Sequence, residues 1–479
     1  MGKEKVIIGD EGIFDARKLG VPKMLLLGFQ HMFAMFGATV LVPMLTGLDV
    51  ATTLLMAGLG TLLFHLITKC KVPAFLGSSF AFLGGYAAVA PAEGKGGLTQ
   101  AQLLPYACIG VACAGLVYLV LAGLIRLVGI KKVMRFFPPV VTGPIIIAIG
   151  LGLAGSAVDN CKTNWPIALV ALLVVIFFNV WGKGMLKIIP IVLGIVVSYI
   201  VAVCMGAVDF TPVTEICKNI ANGKIWGNLI GLPIHKESTI LGIDWSNTSL
   251  IISSIVAIVP IALATMMEHI GDISAISSTV GKNFIADPGL HRTLTGDGLA
   301  TAMASLFGGP ANTTYGENTG VLALSKVYDP LVVRLAAVFA VVVSFVPIVS
   351  AVIETIPAAI IGGISFILYG MISAIGVRNV VENKVDFTKS RNLIIAAVIL
   401  VCALGLGSVD FKIFGLSISL SALAVASIAG IILNAILPGK DYVFGAEEGG
   451  DKAVNFAVGS NSKEGNETVE LPEEEKDAE

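Results

Sequence analysis

Charge is scarce in this chain. Only 13% of its 479 residues are Asp, Glu, Lys or Arg, against roughly 25% in soluble domains, which excludes a series of soluble cores with polar surfaces. Lys and Arg number 31 against 33 Asp and Glu, so there is no basic surface for nucleic acid. Cysteine is sparse and unpatterned. The seven residues Cys70, Cys108, Cys113, Cys161, Cys204, Cys217 and Cys402 include no CxxC pair and are odd in number, which argues against a disulfide framework or a zinc site and leaves small apolar fillers. The five histidines show no HExxH spacing, and no G-x-x-x-x-G-K-[ST] loop is present to harness ATP. No metal or organic cofactor is expected, and an ion gradient is the remaining common energy source.

What the chain has in excess is apolar sequence, 56% of its residues, with a mean hydropathy of +0.89. Apolar runs of about 20 residues, long enough to cross a bilayer, follow one another from Met24 to Leu437. The expected fold is an all-α polytopic membrane protein of about fourteen spans. In the first half they lie near 24–45, 50–68, 73–91, 103–126, 136–155, 166–182 and 188–209; in the second, near 249–275, 294–309, 312–328, 331–352, 356–377, 392–407 and 416–437. The opening stretch, residues 1–23, is too charged for a cleavable signal, and the apolar segment behind it is longer than a signal core, so it should stay attached as an anchor. Residues 438–479, ending LPEEEKDAE, read as a solvated acidic tail.

Basic residues set the orientation, because cytoplasmic loops retain positive charge. With the amino terminus inside, all but Lys95, Lys162, Lys218, Lys224, Lys236 and Lys412 of the 31 Lys and Arg fall on the cytoplasmic side. Both termini are therefore expected in the cytoplasm, in a cell inner membrane. Trp165, Trp181 and Trp245 fall at span ends, as an interfacial belt requires. The long polar connection 210–248 divides the chain into two halves of seven spans, and an odd number per half forces opposite orientations. Halves that share a fold would then form an inverted repeat, a construction common in secondary transporters. Pro138, Gly143 and Gly150 of the fifth span find counterparts in Pro357, Gly362, Gly363 and Gly370 of the twelfth.

The third and tenth spans start badly for helices. KVPAFLGSSFAF and GGPANTTYGENTG combine Pro, Gly or Asn with β-branched, aromatic and small polar residues. Such segments leave backbone groups unpaired in lipid unless they are buried in protein and pair with each other or a ligand. Broken segments at equivalent places in two halves point to a midplane binding site; the bland alternative is a helix kinked near its end.

Acidic residues lie close to that region. Glu268 interrupts IVPIALATMMEHIGD and Glu317 interrupts NTTYGENTG. A carboxylate at the bilayer centre costs at least about 2.5 to 3.5 kcal/mol and survives there mainly on a substrate or proton pathway. No basic residue lies in the middle of any span to make Glu268 a structural pair. Asp272, four residues after Glu268, shares its helical face, so the two cannot both stay ionised cheaply, a proton-carrying arrangement; alternatively Asp272 lies solvated at the end of its span. Tyr315 and Gly316 precede Glu317, and glycine lets backbone approach a ligand closely. A carboxylate beside free amides suits a flat heterocycle with alternating N–H and C=O edges. His31, beside Gln30 in span one, could relay protons or bond a neighbouring helix. Asp297, at the start of span nine, is expected to cap a helix, the alternative being a place on the proton route. His269 lies about 100° around the helix from Glu268 and is not its partner. Phe80 is a stacking wall or a lipid-facing residue.

QHMFAMFGATVLVP, LGSSFAF, MEHIGD, DPGLHRTLTGDGLAT and NTTYGENTGVLALSK closely resemble the bacterial uracil:proton symporters of the nucleobase–ascorbate transporter family, over about residues 20 to 437. The family signature is matched by Glu317, Asn318, Gly320 and Lys326, with Ser325 where threonine is usual. The resemblance implies a core domain (24–128 and 249–352), a gate domain (129–209 and 353–437), and short antiparallel strands in spans three and ten. It implies that Glu268 and Glu317 hydrogen-bond a pyrimidine, with backbone amides near Phe80 and Gly316 completing recognition and Tyr315 alongside. It also matches His31 to a first-span histidine, and places Asp272 where the closest uracil transporters carry histidine. The expected activity is nucleobase import, uracil foremost, by proton symport with alternating access and no enzymatic step. A xanthine or purine permease, and a channel or anion carrier sharing the fold, are the alternatives. Spans rich in small residues are compatible with a homodimer through the gate domain.

Overall fold

The computed structural model describes residues 12–223, 227–413 and 416–439; the opening eleven residues and the acidic tail from 440 onward lie outside them. Apolar runs become helices because hydrocarbon offers backbone N–H and C=O groups no partner outside their own segment. The first half contains α1 (Val21–Thr46), α2 (Val50–Ile67), the strand β1 (Leu76–Ser78), α3 (Leu83–Val89), α4 (Gln100–Val128), α5 (Pro139–Lys162), α6 (Trp165–Trp181) and α7 (Pro190–Cys204). The second contains α8 (Thr248–Ile258), α9 (Ala262–Val280), α10 (Leu290–Leu306), β2 (Asn312–Thr314), α11 (Gly316–Ser325), α12 (Pro330–Ser344), α13 (Pro347–Glu354), α14 (Ala358–Glu382), α15 (Ser390–Gly405) and α16 (Ala422–Ile436). The connections hold shorter turns and, between the halves, an exposed helix Thr211–Ala221. Among the described residues six helical runs are long and apolar enough to cross a membrane: α1, α2, α4, α5, α8 with α9, and α14.

Five expected spans depart from a plain helix of the expected bounds, the third and tenth in the way the resemblance implies. The third and tenth open as strands. The eighth runs on to Val280, so Asp272 sits two turns inside α9 instead of at its end. The eleventh breaks at Pro347, where α12 and α13 meet at 83°; proline lacks the N–H that would continue the helix. The fourteenth, expected from 416, begins as the strand Leu416–Ser421, paired with Ser408–Ile413, and turns helical only at Ala422.

Glycine decides how α5 and α14 pack. A Cβ on Gly143 would meet Val380 and the Gly376 carbonyl, and one on Gly362 would meet the Ala157 carbonyl and the Cys161 nitrogen. Gly143 stands as far from Gly362 in sequence as Ala157 from Gly376 and Cys161 from Val380, so the contacts are reciprocal. Between them a Cβ on Gly150 would lie 2.2 Å from the Tyr369 carbonyl oxygen, which is backbone against backbone. Gly370 has open space around it and takes no part in this contact. Elsewhere α12 packs on α1 and α2, and α10 packs between α2 and α4.

The two strands lie within that second group. They pair antiparallel, with Leu76 opposite Thr314, Gly77 opposite Thr313 and Ser78 opposite Asn312. All six residues are buried, so the outer edges need partners. Thr61 of α2 donates to the Leu76 carbonyl at 3.1 Å, and Thr301 of α10 donates to the Asn312 carbonyl at 2.7 Å. The ladder is extended by Ser79 N–H to the Ala311 carbonyl at 2.9 Å and Tyr315 N–H to the Phe75 carbonyl at 3.0 Å. These two pairs of bonds mirror each other across the halves.

Candidate functional site

Two short helical segments start where the strands stop. The turn Phe80–Phe82 follows β1, and α11 follows β2 at Gly316; neither start has a side-chain cap. The first N–H groups of a helix lack partners within it, so two sets of backbone donors are available here. A Cβ on Gly316 would meet nothing within 4 Å, leaving the backbone open to close approach. Phe80, half-buried, sets its ring edge to face with Tyr369 of α14, centroids 6.3 Å apart.

Glu317 lies in the first turn of α11 and is half-buried; Glu268, on α9, is half-buried as well. Glu268 lies within electrostatic range of Asp297 and Glu317, and Asp272 within range of Glu268, Glu317 and Asp297. Every charged neighbour recorded for Glu268 and Asp272 is another carboxylate. Asp272 has its own tie to the strands, accepting from the Thr314 hydroxyl at 2.9 Å. The alternative of a solvated Asp272 at a helix end therefore falls away.

Tyr315 is buried, and its hydroxyl turns into the sheet, donating to the Ser78 carbonyl at 2.9 Å and accepting from Thr39 at 3.3 Å. Its ring covers Gly77, where a Cβ would lie 2.5 Å from ring carbons. Tyr315 thus braces the strand pair. His31 is fully buried; the Asn318 amide nitrogen donates to its carbonyl at 3.0 Å and lies 3.2 Å from Nδ1. An amide donor at Nδ1 leaves the ring proton on Nε2, and this contact joins α1 to α11. The signature motif has two ends with separate tasks. Glu317 and Gly320 line the cavity and Asn318 anchors α11 to His31, whereas Ser325 accepts from Val327 N–H and Lys326, at φ 51°, closes α11 in the left-handed region.

Sequence reasoning missed one pair. Asp297 does not cap a helix: Gly289, at φ 97°, ends the preceding turn early, so α10 starts at Leu290 and Asp297 falls two turns inside it. There its Oδ2 lies 3.0 Å from His269 Nδ1, both side chains fully buried. The available signal was an aspartate inside an apolar span with a histidine flanking Glu268.

A cavity of about 270 Å³ reaches Glu317 from one side. Phe33 of α1 and Glu317, Gly320 and Leu324 of α11 form one wall; residues of α6, α7 and α14, with Lys187, form the other. Glu268, Glu317 and Asp272, without an ion-pair partner among the described residues, set between strand-broken helices and reached by a cavity between two helical groups, define a multi-pass membrane transporter.

The family follows from comparison of the whole chain: it belongs to the Permease family, whose model Xan_ur_permease matches residues 22–411. The chain is 43% identical to the uracil permease of Bacillus caldolyticus over 429 residues, covering 88% of this chain and 93% of that one. It is 40% identical to the uracil permease of Bacillus subtilis (91% and 97% covered) and 36% identical to that of Escherichia coli K12 (86% and 90%). Among solved structures, the transmembrane domain of the cyanobacterial bicarbonate transporter BicA aligns at a TM-score of 0.54 with 15% identity, over 88% of this chain and 99% of that one. SLC26A9 aligns at 0.59 with 11% identity, over 88% and 66%. These two show a shared fold.

Proposed function

We propose that this chain imports uracil together with a proton across the cell inner membrane by alternating access. The observation that carries the reading is the pair Glu268 and Glu317, half-buried, in no ion pair among the described residues, beside the uncapped starts at Phe80 and Gly316. The carboxylates accept from ring N–H groups, the amides donate to ring carbonyls, and Phe80 covers the ring face. Relatives named uracil permeases supply the substrate. An anion carrier would need positive charge where this site gathers carboxylates, so the fold shared with a bicarbonate transporter does not extend to the cargo.

Fourteen spans in two inverted halves, both termini cytoplasmic, is the topology we infer. It is supported by the reciprocal contacts of Gly143 and Gly362 and the mirrored bonds of Thr61 and Thr301. The core domain comprises 24–128 and 249–352; the gate domain, 129–209 and 353–437, rocks against it around a site near the midplane. His31, through Asn318, and Asp272, through Thr314, join the site to the core, and protonation among Glu268 and Asp272 licenses the loaded protein to switch faces. Moving one proton with a neutral base carries one charge inward, worth about 2.3 kcal/mol per 100 mV. A homodimer through the gate domain fits its small-residue surfaces.

The test is uptake of labelled uracil by proteoliposomes under an imposed inward proton gradient, with and without an uncoupler, for the wild type and Glu317→Ala. Uncoupler-sensitive accumulation lost in the variant is the expected result. Specific binding of xanthine with no uracil accumulation would keep the fold and replace the substrate.

A further inference from the structure

The cavity that reaches Glu317 is apolar except for three side chains: Glu317, Asn179 of α6, and Lys187 in the turn Met185–Ile188 ahead of α7. Asn179 is half-buried, Lys187 exposed, and neither side chain makes a hydrogen bond or ion pair among the described residues. Glu317, Gly320 and Leu324 recur along α11 at helical spacing, so one stripe of that helix runs from the carboxylate along the cavity. Gly320 adds no bulk, and a Cβ there would meet nothing within 4 Å. A volume of about 270 Å³ falls just under the ~300–1,000 Å³ of drug-sized pockets, which suits a single small ring.

We propose that Asn179 and Lys187 form a release station for the nucleobase, a second polar contact between Glu317 and the aqueous mouth of the cavity. The primary amide of Asn179 presents one donor edge and one acceptor, complementary to adjacent C=O and N–H groups of a pyrimidine. The Lys187 ammonium donates to a second ring carbonyl. Polar hand-over matters here because the remaining lining is apolar, and a base leaving Glu317 would otherwise lose its hydrogen bonds before reaching water. Lys187 lies in the connection between α6 and α7, placed in the cytoplasm by the distribution of basic residues, so the station serves exit to the cytoplasm. The inference rests on the proposed uptake of uracil.

Face-specific kinetics test it. Uracil transport by the full chain is measured in right-side-out and inside-out membrane vesicles for the wild type, Lys187→Met, Lys187→Arg and Asn179→Leu, with folded protein quantified by size-exclusion chromatography. Loss of one hydrogen bond should raise KM from the cytoplasmic face about five- to tenfold in Lys187→Met and Asn179→Leu. KM from the outer face should stay within about twofold, and Lys187→Arg should resemble the wild type. Equal shifts on both faces, or none on either, overturn the station while leaving uracil transport intact. Absence of saturable uracil transport by the wild type overturns the functional reading and the station with it. Asn179→Leu, on a helix wall, and Lys187→Met, at an exposed turn, are independent variants, so misfolding of one leaves the other decisive.

Discussion

His269 Nδ1 and Asp297 Oδ2 meet at 3.0 Å across the contact between α9 and α10, and neither side chain reaches solvent. The pair fixes the helix that carries Glu268 against the helix that supports β2. Removing one member leaves a buried polar group with no partner, a loss of about 3–5 kcal/mol, while replacing both by apolar residues is far milder. Thermal unfolding in detergent should show a large drop for Asp297→Ala and for His269→Leu, and recovery in the double variant His269→Leu/Asp297→Leu. Additive losses in that double-mutant cycle would mean the two are not coupled.

Glu268 and Glu317 have no such structural duty. Hydrogen bonds to charged groups contribute about 1.5–3 kcal/mol, so Glu268→Gln and Glu317→Gln should each weaken uracil binding roughly 10- to 100-fold while leaving the unfolding temperature within a few degrees. Isothermal titration on purified protein gives the affinity. Equal affinities for variant and wild type would remove the carboxylates from the site.

The Thr314 hydroxyl is the donor to Asp272. Thr314→Val keeps a β-branched residue in the strand and deletes only that donor, leaving a half-buried carboxylate unsatisfied at a cost of about 1–3 kcal/mol. Thr314→Ser should retain wild-type stability in the same detergent melt. A serine variant as unstable as the valine variant would assign the effect to strand packing.

Two glycines that look equivalent in the apolar runs should answer differently to the same change. Gly150 faces the Tyr369 carbonyl at 2.2 Å from an added Cβ, and Gly370 faces open space. Gly150→Val should prevent α5 and α14 from closing and abolish the monodisperse peak on size-exclusion chromatography. Gly370→Ala should be neutral or stabilise by about 0.5–1 kcal/mol through helix propensity.

These contrasts mark what the sequence could convey. Glu268 and Glu317 are legible because an acidic residue in an apolar run is costly, and the breaks at 76–78 and 312–314 because clustered Pro, Gly, Asn and Thr are poor within a helix. The reciprocity of Gly143 and Gly362 was legible as a repeated spacing. Gly370 belongs to the repeated pattern yet stays out of that contact, because helices in lipid are apolar on every face and the pattern does not say which face meets a neighbour. The same uniformity hid the pairing of His269 with Asp297, which depends on how α10 is rotated against α9. The bend at Pro347 and the alternating LSISLS at 416–421 carried local signals that length counting alone passes over.

The pairing of β1 with β2 joins segments from opposite halves of the chain, Leu76 with Thr314. During synthesis at about 5–20 residues per second, roughly 10–50 s separate the emergence of the two strands. Through that interval Leu76 to Ser78 have no strand to meet, and Thr61 is the partner at hand for the Leu76 backbone. The first half must therefore wait in the membrane with an unfinished edge, which is an opening for mispairing between nascent chains. Seating of β2 is the late, long-range step that assembles the candidate site, so it cannot precede synthesis of about two thirds of the polypeptide. A fold built this way makes its binding site a checkpoint on its own biogenesis.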